Sequence, residues 1–342
     1  MPALLKSKIV IAVGAAIVVA VVGVAATVAW AVQQIEAPGP LAEDRIHIVP
    51  SGAGVNRIAA DLQETGVISN SLLFRLYVRY RNADMKLRAG EYEFRSGASM
   101  AQILDLLISG RMVLHRVTVP EGLTSHEATV LLNAAGPMTG TAEIPPEGSI
   151  LPETYSFTRD EDRSEILAHM REAMTQTLTE LWAGRADDLP IKTPEEAVIL
   201  ASIVEKETGI ADERPRVAAV FVNRLRKRMR LQSDPTVIYV LSDGRGRLDR
   251  ELLLKDLEID SPYNTYRVAG LPPGPICNPG RASLAAVLNP IESKELYFVA
   301  DGTGGHVFAE TLAEHERNVR NWRKIRRQQR RDARRQQQQQ QQ

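Results

Sequence analysis

The sequence predicts an α+β protein carried on an N-terminal transmembrane helix, and three features predict it. Ile9 to Val32 is a run of 24 residues without a charge. Three later segments repeat a strand, a glycine turn and a capped helix. Between Thr193 and Phe308 a helix apolar on nearly every side is followed by an amphipathic helix and, at the end, a hairpin.

As a helix, residues 9–32 extend roughly 36 Å, enough to cross a hydrocarbon core of about 30 Å. Lys6 and Lys8 precede the run, so positive-inside bias keeps residues 1–8 cytoplasmic and sends the remainder across the bilayer. A cleaved signal peptide is the competing reading. Its apolar region is ordinarily shorter, and Trp30-Ala-Val-Gln-Gln lacks the small-x-small pattern a signal peptidase needs. Ala37-Pro-Gly-Pro then breaks the helix and opens a stalk over residues 33–44.

The repeated unit occurs at His47-Ile-Val-Pro-Ser-Gly, Glu93-Phe-Arg-Ser-Gly and Val117-Thr-Val-Pro-Glu-Gly. Aligned on Gly52, Gly97 and Gly122, each has a cap candidate two residues on: Gly54, Ser99 and Thr124. Apolar residues follow in step, first Ile58, Ile103 and Ala128, then Leu62, Leu107 and Leu132. Unequal spacing rules out a solenoid, and the units read as packing modules without chemistry. Leu72 to Tyr80 fits a helix, Leu87 to Phe94 enters a strand, and residues 151–157 are extended. A long helix is expected from Ser164 to Arg185.

Thr193-Pro-Glu-Glu supplies a cap, a first-turn proline and a capping-box glutamate for a helix over 194–208. A second helix covers about Pro215 to Arg228, and Leu296 to Phe308 forms the hairpin. The tail, 323–342, is low in complexity and is expected to be disordered or loosely helical.

Charge and composition exclude several functions. The tail from Arg323 carries eight of the Lys/Arg residues against one acid, which leaves residues 9–322 with 32 basic and 41 acidic groups. An acidic body is the wrong surface for nucleic acid. Cys277 is the single cysteine, and the six histidines form no close pair, so neither a disulfide framework nor a metal site is expected. No cofactor motif is present.

Glu205 and Glu207 end the apolar helix, where burial would raise a carboxyl pKa and make a general acid. They lie about 200° apart at roughly 100° per residue, so they face opposite sides. Helical phase does not choose between them, and an ordinary solvent-facing helix end fits the bare pattern as well. Gln232 to Tyr239, Ser261 to Tyr266 and Gly270 to Gly280 concentrate turns, amides, hydroxyls and tyrosines, which suit a carbohydrate groove.

Six ordered motifs bring a resemblance into view: Leu200-Ala-Ser-Ile-Val-Glu-Lys-Glu-Thr, Val222-Asn-Arg-Leu, Met229 to Tyr239, Ser261-Pro-Tyr-Asn-Thr-Tyr, Gly270-Leu-Pro-Pro-Gly-Pro-Ile and Gly304-Gly-His-Val-Phe. They resemble the endolytic murein transglycosylase family, also called YceG-like, from the anchor to about residue 320. The resemblance implies a small LysM-like module at 45–115 and a catalytic domain at 116–322. It implies Glu205 as the catalytic acid/base and Glu207 as secondary. The implied reaction is scission of the MurNAc–GlcNAc bond of nascent peptidoglycan strands by the sugar's own C6 hydroxyl, leaving a 1,6-anhydro end and setting strand length, without metal or cofactor. Asp234, Asn264, Tyr266 and His306 are the candidate substrate-binding residues. The implied setting is the outer face of the bacterial cytoplasmic membrane, beside wall-synthesis proteins. Two rivals stand: a hydrolytic muramidase using Glu205 with Asp234, and a non-catalytic wall-binding scaffold.

Overall fold

The computed structural model describes residues 2–340. The chain divides into two compact units, one comprising residues 1–115 with 158–160 and the other residues 116–157 with 161–342. Both mix helices with short strands.

In the first unit, helix α1 (Pro2–Glu36) is followed by strand β1 (Arg45–Val49), helices α2 (Val55–Glu64) and α3 (Ser71–Tyr80), strand β2 (Gly90–Phe94) and helix α4 (Met100–Ser109). β1 and β2 pair antiparallel, Arg45 opposite Phe94 and Val49 opposite Gly90. Period-2 alternation points Tyr92 and Phe94 into the core, where they meet Ile58, Leu62, Phe74, Ile103 and Leu107. Burying each such side chain contributes about 1.5–3 kcal/mol.

Residues 11–36 are long and apolar enough to cross a membrane, and no part of their most apolar window is buried. The expected stalk is not a free linker. α1 continues to Glu36, and Ala31, Ile35 and Leu41 join the core of the unit. Helix propensity carries the chain past Val32, and Pro38, which lacks an N–H, falls after the last turn.

The second unit holds β3 (His115–Thr118) for all but its first residue, then α5 (Ser125–Ala134), β4 (Thr154–Phe157), α6 (Arg163–Ala183), α7 (Pro194–Glu207), α8 (Arg214–Arg226), α9 (Asp234–Leu241), α10 (Arg281–Leu288), β5 (Tyr297–Ala300), β6 (His306–Ala309) and α11 (Leu312–Gln340). β3 pairs with β4, and β5 with β6 as an antiparallel hairpin. α7 is the centre. Every residue from Ala197 to Val204 is buried, and α6, α8, α9 and α10 pack around it. Such a helix has no polar stripe because none of its faces meets water.

Gly54, Ser99 and Thr124 are the N-caps of α2, α4 and α5, and Ser99 with Gln102 and Thr124 with Glu127 close capping boxes. The turn glycines 52, 97 and 122 have φ of +74°, +66° and +78°, the left-handed region that strains any other residue.

Two segments form helices that were not expected, and the tail takes one of its two expected forms. The run from Gln232 contains α9, which follows Ser233 and has Pro235 in its first turn, although the Ser233 hydroxyl goes to Glu207 and not to the helix end. α10 lies behind the proline-rich stretch, too short to show a period in sequence. The tail, expected to be disordered or loosely helical, is helical to Gln340, with Arg326 and Arg330 paired to Glu251 and Ile325 lying against Gly302.

Candidate active site

The last turn of α7 presents its two glutamates to different surroundings, as their phase requires. The Glu205 side chain is 5% exposed. Its Oε2 accepts the backbone N–H of Gly280 at 3.0 Å, and its Oε1 lies 3.4 Å from Arg214 Nη2 at the start of α8. The same Arg214 nitrogen donates to Glu121 Oε2 at 3.1 Å, so two carboxylates share one guanidinium. Glu121 is 39% exposed, and burial together with the charge of Glu205 pushes its carboxyl above the usual range, against the pull of Arg214. The Nε–H of Arg214 is buried and has no hydrogen-bond partner among the described residues.

Two loops close on Glu205. The turn after β3 brings Gly122 beside it, where an added Cβ would lie 3.5 Å from Glu205 Cγ, and Lys206 Nζ donates to the Gly122 carbonyl at 3.1 Å. The loop before α10 clasps that turn through two backbone bonds, Gly122 N–H to the Asn278 carbonyl and Asn278 N–H to the Leu123 carbonyl. Asn278 is fully buried. Its amide donates to the Leu123 carbonyl, Ser125 Oγ and Glu147 Oε1, and accepts from the Ile150 N–H. Burial raises the pKa of Glu147, while bonds from the Ser125 backbone and hydroxyl lower it. Gly280 lies against the Glu121 carboxyl: an added Cβ would lie 1.7 Å from Glu121 Oε1, and that side chain would have to shift.

Glu207 belongs to a second cluster. Its Oε1 accepts from Ser233 Oγ at 2.5 Å. The residue as a whole is half-buried, yet its carboxyl is desolvated, and burial raises its pKa to about 7, with Asp234 adding to the rise and Ser233 opposing it. Asp234 Oδ1 accepts the Tyr266 hydroxyl at 2.5 Å. Asp234 and Tyr266 therefore stand together near Glu207, rather than among the direct partners of Glu205. His306 pairs through Nδ1 with Glu213 at 2.8 Å and donates its backbone N–H to the same carboxylate. Burial works against ionisation of Glu213, and these His306 bonds more than offset it, leaving its pKa lowered.

Asn264 is corrected by its surroundings. It is fully buried, its amide donates to the carbonyls of Leu257 and Ile259, and its oxygen accepts the Tyr266 N–H. It holds the loop carrying Tyr266 and offers no exposed atom to a substrate. Cys277 is buried and free, its thiol pushed well up by burial.

Sequence reading passed over Glu121 and Arg214. The repeated unit did carry a signal: Ser51 and Ser96 precede the first two turn glycines, whereas Glu121 precedes the third. A carboxylate replaces a small hydroxyl only in the turn that reaches α7.

The motif-bearing stretch coincides with a family match: residues 47–321 fit the model of the YceG-like family. The chain belongs to the YceG-like family. An endolytic murein transglycosylase of Bacillus subtilis (strain 168) is 33% identical over 301 residues, covering 79% of this chain and 82% of that protein. One from Streptococcus pneumoniae serotype 2 is 29% identical over 321 residues, covering 79% of this chain and 57% of that longer protein. A solved structure of a yceG-like protein from Listeria monocytogenes is 32% identical, with a TM-score of 0.49, over 80% of this chain and 98% of that one. Within this YceG-like chain, the Glu205 cluster draws on three separated stretches, the turn after β3, the ends of α7 and α8, and the loop before α10.

Proposed function

We propose that this chain is an endolytic lytic transglycosylase that cleaves the MurNAc–GlcNAc bond of nascent peptidoglycan strands and leaves a 1,6-anhydroMurNAc end. The observation that carries the reading is a nearly buried glutamate, Glu205, at the end of the central helix, held by a backbone N–H and by an arginine it shares with a second carboxylate. Family membership and the names of the relatives support the substrate class.

Protonated Glu205 donates to the glycosidic oxygen, and the C1–O bond breaks. The C6 hydroxyl of the same muramic sugar attacks C1, and its proton passes to the Glu205 carboxylate as the ring closes. An intramolecular nucleophile needs no activated water, so one acid/base residue suffices. Gly280 and Arg214 hold the Glu205 carboxyl group in both halves of the reaction. Asp234, Tyr266 and His306 take the role of orienting the glycan away from the bond that breaks.

The first unit serves as a LysM-like module of about residues 45–115, and residues 116–322 as the catalytic domain. A groove of about 780 Å³ beside β2 and α4, lined by Phe94, Ile103, Met112 and Leu114 with Arg95 and Arg111, is of a size and mixture that suits a sugar chain. α1 serves as a single-pass anchor, N-terminus inside, with both units on the outer face.

The test is mass spectrometry of glycan fragments released from peptidoglycan by the full-length wild type and by Glu205→Gln. Anhydromuramic ends from the wild type, lost in the variant, are expected. Reducing ends would instead indicate a hydrolase, with Asp234 as the second carboxylate. Binding without any cleavage would leave the scaffold.

A further inference from the structure

We propose that the exposed face of α3, continued by Met85, rests in the lipid headgroup layer of the bilayer that α1 spans. The inference depends on α1 as an anchor and is independent of the reaction at Glu205. It starts from depth. A hydrocarbon core of about 30 Å takes about 20 helical residues. Counted outward from Lys8, which the core excludes, it ends near residue 28. Ala31 then stands about 4–5 Å above that boundary, at about 1.5 Å per residue, inside a headgroup layer that reaches roughly 5–7 Å on each side, and Ile35, about 10 Å up, stands just beyond it. Trp30, exposed on α1, falls at the boundary, the place an indole favours.

Ala31 and Ile35 are also where the first unit packs. They share a core with Leu73, Phe74 and Val78 of α3, and α1 contacts α3 directly. α1 is helical through Glu36, so no hinge separates the anchor from this core. α3 is thereby held at the outer edge of the headgroup layer, within reach of it by its side chains.

The surface that α3 turns outward fits that layer. Leu72, Leu76 and Tyr80 follow at four-residue spacing on one face and are exposed, Tyr80 by 80%, and Met85 beyond the helix is 95% exposed. Arg75 and Arg79 flank the stripe at the adjoining helical angle, where their stems can lie along it and their heads reach phosphates. Residues 71–88 hold five basic groups, of which Arg81 is paired with Asp105, leaving Arg75, Arg79, Lys86 and Arg88 against Asp84, in a body that is otherwise acidic. Apolar side chains edged by cations match anionic lipid.

The test uses the full-length chain in vesicles of phosphatidylcholine and phosphatidylglycerol. Cys277 is buried and stays unlabelled. Leu76→Cys and Tyr80→Cys each carry an environment-sensitive fluorophore, with Ile17→Cys as the lipid reference and Asp188→Cys, fully exposed, as the water reference. Both α3 labels are expected to shift to the blue, to be quenched by shallow nitroxide-bearing lipids and to be protected from iodide. Iodide quenching equal to that at Asp188 overturns the proposal. Protection from both quenchers also overturns it, because a second copy of the chain then covers the stripe.

Discussion

The backbone N–H of Gly280 donates to Oε2 of Glu205 at 3.0 Å, across 75 residues of sequence. The carboxylate is therefore oriented by a peptide group whose position depends on how the loop before α10 seats. A Cβ on Gly280 would meet the Glu121 carboxyl there and oblige it to move. Gly280 has φ of −76°, which any residue adopts, so the requirement for glycine is steric. Gly280→Ala is expected to destabilise the fold by about 1–3 kcal/mol through overpacking, measured as a urea midpoint, and to reduce glycan cleavage. Adding Glu121→Ala removes the clashing carboxyl and should restore most of the stability, a non-additivity of about 0.5–3 kcal/mol. Simple additivity would show that the clash lies elsewhere.

Glu205→Gln is expected to lower the cleavage rate about 10²–10⁴-fold, the usual worth of a general acid/base, while leaving the far-ultraviolet circular dichroism unchanged. A rate within a few-fold of wild type, scored by anhydromuramic ends, would remove Glu205 from the chemistry.

Glu207 titrates near 7 because burial disfavours its charge. Between the ordinary carboxylate value of 4.5 and about 7 the folded state holds this proton and the unfolded state does not. Stability from this group is thus complete at low pH and falls as pH rises through that window. Urea midpoints measured from pH 5 to 8 should decline more steeply for wild type than for Glu207→Gln. Parallel curves would mean the carboxyl is hydrated.

Glu91 has the opposite sign. Burial opposes its ionisation, but hydrogen bonds from His115 and Arg159, at 2.6 and 3.1 Å, prevail and hold its pKa below the usual value. Its contribution is present above the unfolded value and disappears as pH falls through the folded one. Acid unfolding of Glu91→Gln should begin from a lower baseline stability and respond less to pH over that range. Arg159→Ala removes one of the two partners and leaves His115, so it should cost less than the about 3–5 kcal/mol of a wholly unpaired buried charge near neutral pH.

Much of the fold is legible in the sequence because its signals are local. The cap positions Gly54, Ser99 and Thr124 and the buried Ile58, Ile103 and Leu132 follow from spacing within single helices. α9 and α10 were not legible: each is eight residues long, too short for a period to emerge. The end of α1 was misread because composition marks where apolarity stops, whereas packing of Ile35 decides where the helix is held.

The site divides in the same way. The sequence alone determined that α7 is buried on all sides, that Glu205 and Glu207 end it, and that they face apart, since all three follow from helical phase and apolar content. Only the tertiary structure decided which groups each glutamate meets. Arg214, Glu121 and Gly280 reach Glu205 from separated stretches, and Ser233 meets Glu207 beside the Asp234–Tyr266 pair. The physical reason is that a carboxylate's partners are fixed by distances of a few ångströms between loops. Those distances are set by how buried helices pack, and no periodicity along the chain records them.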